Sequence, residues 1–478
     1  MGLLQEDRLF PVDEGTRALA RSLYATVKDL PIISPHGHTD PRWFAENEPF
    51  PDPAQLFVTP DHYVFRMLHS QGIPLEAMGV PRADGGPTET DGRKIWRLFA
   101  SNFHLFRGTP SRLWLDHAFS EVFGVNERLS AETADAAYDQ IADCLARPEF
   151  RPRALFERFG IEAIATTESA LDDLRWHRMI RESGWQGRVV TAYRPDAVVD
   201  PEFAGFAENV AQLGQLTGED TATWEGYLAA HRKRRSYFKE FGATSSDHGH
   251  ATARTEDLPQ AEAAALFARA LTGACTAEEA DAFRGQMLTE MARMSLEDGL
   301  VLQIHPGSFR NHSRPVLDRF GRDKGFDIPT RTDYVRALRP LLSAVGGDPR
   351  LTVIVFTLDE TAYARELAPL AGVYPALKLG PAWWFHDSPE GDAPLPRDDD
   401  RDGGLLQHRG LQRRHPRLLL DPGPSRRGPA RGLRLPGDAG RHGAPRRGGG
   451  AGGGARSGLP PRERGLQALR RSSREERP

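Results

Sequence analysis

The chain has 478 residues, 39% of them hydrophobic and 27% charged, with a formal net charge of −4 at pH 7. That length suits one large core or two ordinary ones, and the near-balanced charge argues against a surface built to neutralise nucleic acid or bind an anionic membrane. Two cysteines, Cys144 and Cys275, are too few for a disulfide framework and fit a reducing compartment.

The first residues, MGLLQEDRLFPVDEG, carry acid from position 6 and lack both a basic start and a long apolar run, so a cytoplasmic protein is expected. No stretch reaches the roughly 18 apolar residues of a membrane span. Short apolar, β-branched runs then recur, each ending in polar or ionisable residues: DLPIISPHGHTD, IEAIATTES, GRVVTAYRPD, GATSSDHGH, GLVLQIHPG, LTVIVFTLDE and ALKLGPAWWF. Segments of helical pattern separate them, such as AEEADAFRGQMLTEMARMSLEDG and YVRALRPLLSAVG. Strand alternating with helix predicts a parallel sheet in an α/β fold, and a closed (β/α)8 TIM-like barrel needs one strand beyond these seven. Such a barrel places its chemistry at the C-terminal ends of its strands, where the polar clusters fall.

Residues 41–150 interrupt the alternation with a Pro-, Trp- and Phe-rich stretch that reads as a helical insertion after the first strand, too long and too apolar for a loop. The basic run HRKRRSYFKE at 231–240 reads as the solvated face of an amphipathic helix rather than a nucleic-acid surface. From Asp392 the composition changes: residues 392–478 hold 20 arginines, much Gly and Pro, and no Lys, Phe, Tyr, Trp, Val, Ile, Thr, Asn or Met. Such a segment supplies no barrel strand. It reads as a disordered basic tail or, on the hypothesis that fits better, as the product of a one-base insertion near Gly391. Dropping one base from plausible codons for Asp392 to Leu418 gives MRRFREMTTETAGFYNTAGFNDDTRAF, a peptide of ordinary composition. The domain expectation is therefore a barrel over 1–391, with its insertion at about 41–150, and an aberrant tail over 392–478.

His36 and His38 form His-x-His at the end of the first run, where strand alternation would put both imidazoles on one face to share a divalent ion. Arg194 ends the third run, Asp247 and His248 the fourth, and His305 the fifth. An arginine suits a substrate carboxylate because its planar fork can grip both oxygens. An aspartate or histidine beside a metal suits proton transfer. Arg194 and Asp196 read equally well as a loop cap, and Asp247 as a structural ion-pair member.

DLPIISPHGHTDPRWFAEN, FVTPDHYVFRMLHSQGI, AYRPD, SDHG, QIHPGSFRN, RDKGFD and LGPAWWFHDSPEG occur in this order across nearly all of residues 1–391. Together they resemble the motifs of the uronate isomerase family of the amidohydrolase superfamily. The resemblance implies a (β/α)8 barrel, a divalent metal, usually zinc, and interconversion of glucuronate with fructuronate and of galacturonate with tagaturonate. It assigns His36 and His38 to the metal, His62, Arg194 and Trp384 to substrate binding, and Asp247, His305 and Tyr63 to the chemistry. Trp383 and Trp384 read as sugar-site wall or as core, with core favoured for at least one. The family ends its eighth strand in Asp-x-Arg, whereas here the matching positions hold Arg414 and Pro416, and the shifted frame restores Asp-Thr-Arg. The chain as written is therefore expected to be unstable or inactive. A small uronate is the expected partner, with no nucleic acid and no membrane, and homo-oligomerisation is left open. Two alternatives are a metal-dependent amide or ester hydrolase, which would carry a bridging lysine, and a non-catalytic sugar-acid-binding remnant.

Overall fold

The computed structural model describes residues 4–380. Trp383, Trp384, Arg414, Pro416 and the whole tail lie outside the described residues. Among the described residues nine strands form: β1 (Ile32–Ser34), β2 (Ile161–Ser169), β3 (Arg188–Arg194), β4 (Ser245–His248), β5 (Val301–Ile304), β6 (Ser308–Phe309), β7 (Ile328–Pro329), β8 (Val353–Val355) and β9 (Leu377–Leu379). Seven of them make one parallel sheet in the order β1-β2-β3-β4-β5-β8-β9. These are the seven apolar runs of the sequence. Parallel pairing with helices between the strands gives the α/β class and the curled sheet of a TIM-like barrel. The strand expected to close β9 onto β1 would fall after residue 380.

Burial explains why such short runs hold as strands. All four residues of β4 and all three of β8 are buried, so each strand is covered on both faces, as a parallel sheet requires. In β2 the alternation separates two jobs. Thr167 Oγ1 donates to the Gly37 carbonyl at 2.7 Å and anchors the loop that carries His36 and His38. Its neighbours Thr166 and Glu168 face the helix Arg175–Glu182, where His177 Nε2 lies 2.9 Å from Thr166 Oγ1.

Between β1 and β2 the chain is helical, from Pro41–Glu46 to Pro152–Arg158, with no strand interposed. Its core is aromatic: Phe44, Phe57, Trp96, Phe99, Phe103, Phe106 and Phe119 are almost wholly buried in one cluster with Ile161 and Ile164 of β2. Each such side chain contributes about 1.5–3 kcal/mol, which anchors the insertion to the barrel. Trp96 keeps its polar edge satisfied by donating Nε1–H to the Ala134 carbonyl at 2.9 Å. A second cluster packs the remaining strands against the outer helices through Tyr227, Phe267, Phe283, Leu302, Val353 and Leu377.

One sequence expectation changes, and two details are added to the reading. The run 231–240 lies on the helix Trp224–Glu240, but His231, Arg234 and Arg235 are buried rather than solvated. Arg235 forks onto Asp298 at 2.6 and 2.9 Å, and Arg234 donates to the carbonyls of Ala170 and Asp172. A buried arginine is tolerated where such hydrogen bonds and an ion pair replace much of its lost hydration. β1 ends at Ser34, before Pro35, so His36 and His38 follow the strand rather than lie within it: His36 is fully buried and His38 exposed, with their rings 5.3 Å apart between centroids. Finally, β6 and β7 pair antiparallel across the loop after β5, a pair of two-residue strands too short to leave a periodic trace.

Candidate active site

The C-terminal ends of β1, β4 and β5 bring His36, Asp247 and His305 together, all fully buried, with one ligand atom from each lying within 4.8 Å of the others. His305 Nδ1 is 2.6 Å from Asp247 Oδ1, and His36 Nε2 is 3.9 Å from Asp247 Oδ2. His36 is oriented from behind: its Nδ1–H donates to Gln303 Oε1 at 2.6 Å, which leaves the Nε2 lone pair for the site. Phe356, just past β8, stacks on the His305 ring with centroids 3.9 Å apart and keeps that side of the site dry. The His38 ring stands edge-on to His36, centroids 5.3 Å apart, on the exposed side.

Arg194, the last residue of β3, reaches into the same cluster, with Nη1 3.3 Å from Asp247 Oδ2. Asp196 holds it in place, accepting from Nε at 2.8 Å while its other oxygen accepts from the Gly249 amide at 3.2 Å. Burial works against the Arg194 charge, but Asp196 and Asp247 outweigh it and hold the guanidinium pKa above its usual range. Asp196 is pushed up by burial and pulled down further by Arg194, so it stays an anion. Beside them the His248 imidazole, fully buried next to His250, is pressed down to about 3 by burial and stays neutral.

His62 and Tyr63 enter from the insertion. Asp61 caps their helix, His62–His69, by accepting from the amides of Tyr63 and Val64, which fixes both side chains in the first turn. Their rings stack with centroids 4.7 Å apart. His62 lies against Gly325 of the RDKGFD loop, so closely that a Cβ on that glycine would come within 2.6 Å of the His62 Cβ.

The structure thus gathers His36, Asp247, His305 and Arg194 directly and sets His38 beside them, while His62 and Tyr63 stand on the insertion, His62 against the RDKGFD loop. Sequence reasoning passed over Gln303 and Phe356. Gln303 had a usable signal, since it lies two residues before His305 and alternation points both to one face. Phe356 had none, because an aromatic at the end of an apolar strand reads as core. As donors, two imidazoles and a carboxylate, buried and convergent, suit a small divalent ion. The resemblance pairs His36 with His38, whereas the tightest donor group among the described residues pairs His36 with Asp247 and His305. The indole of Trp384 falls outside the described residues.

Comparison with known proteins identifies the family. A family model described as glucuronate isomerase matches residues 10–394. The uronate isomerase of Rhizobium meliloti (strain 1021) is 70% identical over 390 residues, covering 82% of this chain and 83% of the relative. That of Mesorhizobium japonicum is 68% identical over 391 residues, with the same coverage of both chains. Among solved structures, the glucuronate isomerase of Caulobacter crescentus superimposes with a TM-score of 0.88 at 54% identity, covering 92% of this chain and 93% of that one. The uronate isomerase of Thermotoga maritima gives 0.82 at 27% identity, covering 92% and 94%. A match over most of the length, together with the histidine–aspartate–arginine cluster at the strand ends, means that the chain belongs to the glucuronate isomerase family, the uronate isomerases.

Proposed function

We propose that the chain is an aldose–ketose isomerase that interconverts D-glucuronate with D-fructuronate and D-galacturonate with D-tagaturonate through an enediolate. The observation that carries this reading is Asp247, wholly buried, in hydrogen-bond range of His305 at 2.6 Å and 3.3 Å from Arg194, in a chain of this family. Moving a hydrogen from C2 to C1 needs a base for the C2 proton and positive charge for the oxyanion that develops. Asp247 and His305 are close enough to pass a proton between them and serve as the proton-transfer pair. Arg194, kept charged by Asp196, meets the anionic substrate. Tyr63 and His62 approach the sugar from the insertion side, and Trp384 is assigned to the substrate wall by resemblance alone.

His36 and His38 would hold the divalent metal, zinc by the chemistry of the donors, at the edge of the buried group His36, Asp247 and His305, whose last two members keep the proton-transfer role. When bound, the metal supplies Lewis-acid polarisation of the substrate oxygens. Two domain assignments belong to the same reading: an isomerase barrel over 1–391 and an out-of-frame segment over 392–478. The family match ends at residue 394, close to the change of composition, and the Rhizobium relative extends beyond the part matched.

The test compares the chain with its frame-restored counterpart for conversion of glucuronate to fructuronate in the presence of zinc, followed by NMR of the C1 and C2 protons. Conversion by the restored protein supports the isomerase, and activity confined to it supports the frame assignment. No conversion by either refutes the isomerase reading.

A further inference from the structure

The segment between β5 and β8 belongs by its packing to the insertion. Its short helix, Arg314–Phe320, buries Val316 and Phe320 in the same aromatic cluster as Phe57, Trp96 and Phe119, and Phe326 packs against that cluster. Phe326 stands edge-on to His69, with centroids 5.3 Å apart. The backbones join as well: the Ala83 amide donates to the Arg319 carbonyl at 2.9 Å, and the Arg319 guanidinium pairs with Glu76. Two parts of the chain far apart in sequence therefore share one core, and close packing passes a displacement of either to the other.

Inside the segment, the RDKGFD turn is pinned by its own hydrogen bonds. The Asn311 amide donates to the buried Asp327 Oδ1 at 2.6 Å, the Asp323 amide to Asn311 Oδ1 at 3.0 Å, and the His312 amide to the Phe326 carbonyl at 2.7 Å. Gly325 sits within this frame, itself buried, at a left-handed φ of 74°. A Cβ there would lie 2.6 Å from His62 Cβ, 3.1 Å from the His62 carbonyl oxygen and 3.2 Å from its ring Cδ2. Carbon atoms pack at about 3.5–4.0 Å, so a side chain at this position would have to open the contact by roughly 1 Å. Turning the imidazole gives no relief, because the nearest atom is Cβ and the next is main chain. The first turn of the His62 helix is also held by the Asp61 cap. The place of His62 is thus set by its own cap and by a glycine on the loop after β5.

We propose that Gly325 is a positioning residue for His62: lacking a side chain, it lets the loop after β5 seat directly on the first turn of the His62 helix and so fixes where the imidazole stands toward the sugar acid. This rests on the reading of the chain as a uronate isomerase, in which His62 meets the substrate. Gly325 has no side chain to offer a ligand, so it acts through His62. Gly321 in the same segment is the natural control, since it is also left-handed, with φ 82°, but nothing lies within 4 Å of a Cβ built on it.

Equilibrium dialysis of the full chain against D-glucuronate at neutral pH tests the assignment, because it reads both the Kd and the number of binding sites. Strain on the backbone lowers the fraction of chains able to bind, whereas a displaced His62 raises the Kd of chains that remain folded. Gly325→Ala should raise the Kd roughly 10- to 100-fold with the number of sites kept, the range for one hydrogen bond to a charged group. Gly321→Ala should leave the Kd within about threefold. His62→Ala should also raise the Kd, and adding Gly325→Ala to it should change the Kd by no more than about threefold, since the ring to be positioned is gone. A Gly325→Ala variant that keeps the parent Kd, or that loses sites without a change in Kd, overturns the proposal. So do losses that multiply in the double variant, or a His62→Ala variant that binds like the parent. Each of these leaves the uronate reading intact, whereas an unsubstituted chain that does not bind glucuronate overturns that reading and the positioning role with it.

Discussion

Glu168 allows the tightest prediction, because its environment sets both the sign and the size of an effect. It lies buried on the outer face of β2, where Thr166 Oγ1 donates to its Oε2 at 2.9 Å, Thr191 donates to the same oxygen, and His177 Nε2 stands 3.8 Å away. Burial drives its pKa from the ordinary 4.5 up to about 8, against the two threonine hydrogen bonds, which pull it down. The folded state therefore binds a proton that the unfolded state releases between these values. The associated stability is complete below about pH 4.5 and is lost as pH rises through about 8. From about pH 5 to about pH 8.5 the linkage amounts to about 4 kcal/mol, roughly 5 °C in Tm for a fold of this size. Glu168→Gln removes the titration and keeps an oxygen for the threonine hydroxyls. Thermal unfolding of both proteins by circular dichroism across that range isolates the term, because the other titrating groups cancel in the difference. The variant should gain on the parent steadily with pH. A difference that stays constant within about 1 °C would refute a buried, protonated Glu168.

Other perturbations follow from the same geometry. His231 is buried against the Tyr193 hydroxyl at 2.7 Å, and burial lowers its pKa from 6.5 to about 3. Its contribution has the opposite sign: present above about pH 6.5 and lost as pH falls, about 2 kcal/mol by about pH 5, so His231→Gln should flatten the acid limb of the urea-midpoint profile. Asp247→Asn keeps the shape of the site and removes its base, and should lower kcat about 10²- to 10⁴-fold with a smaller change in KM; a kcat within about threefold of the parent would take Asp247 out of the chemistry. The protein dialysed against zinc should retain one equivalent by elemental analysis, and His36→Ala or His38→Ala should each lose it. Retention by both variants would place the ion elsewhere.

How far the sequence carried depended on the range of each signal. The seven barrel strands were legible because a strand buried on both faces must be a short, continuous apolar run, and Val353–Val355 or Leu302–Ile304 can be little else. The ends of these runs also announced Arg194, Asp247 and His305, since a barrel's polar residues collect there. The insertion was legible from its aromatic density. Partnership was not legible. Arg234 and Arg235 look like surface charge until Asp298, more than sixty residues on, is brought beneath them by packing.

Sequence alone determined that the chain alternates strand with helix, that its ionisable residues sit at strand ends, and that its motifs follow the order of one family, because each of these is written in neighbouring residues. Tertiary structure alone decided that His36 turns inward while His38 stays at the surface, that Gln303 sets the His36 tautomer, and that Gly325 of the loop after β5 seats against His62 of the insertion. The reason is physical: periodicity and propensity act over a turn or a strand, whereas a site is made from side chains that long-range burial brings within about 4 Å of one another.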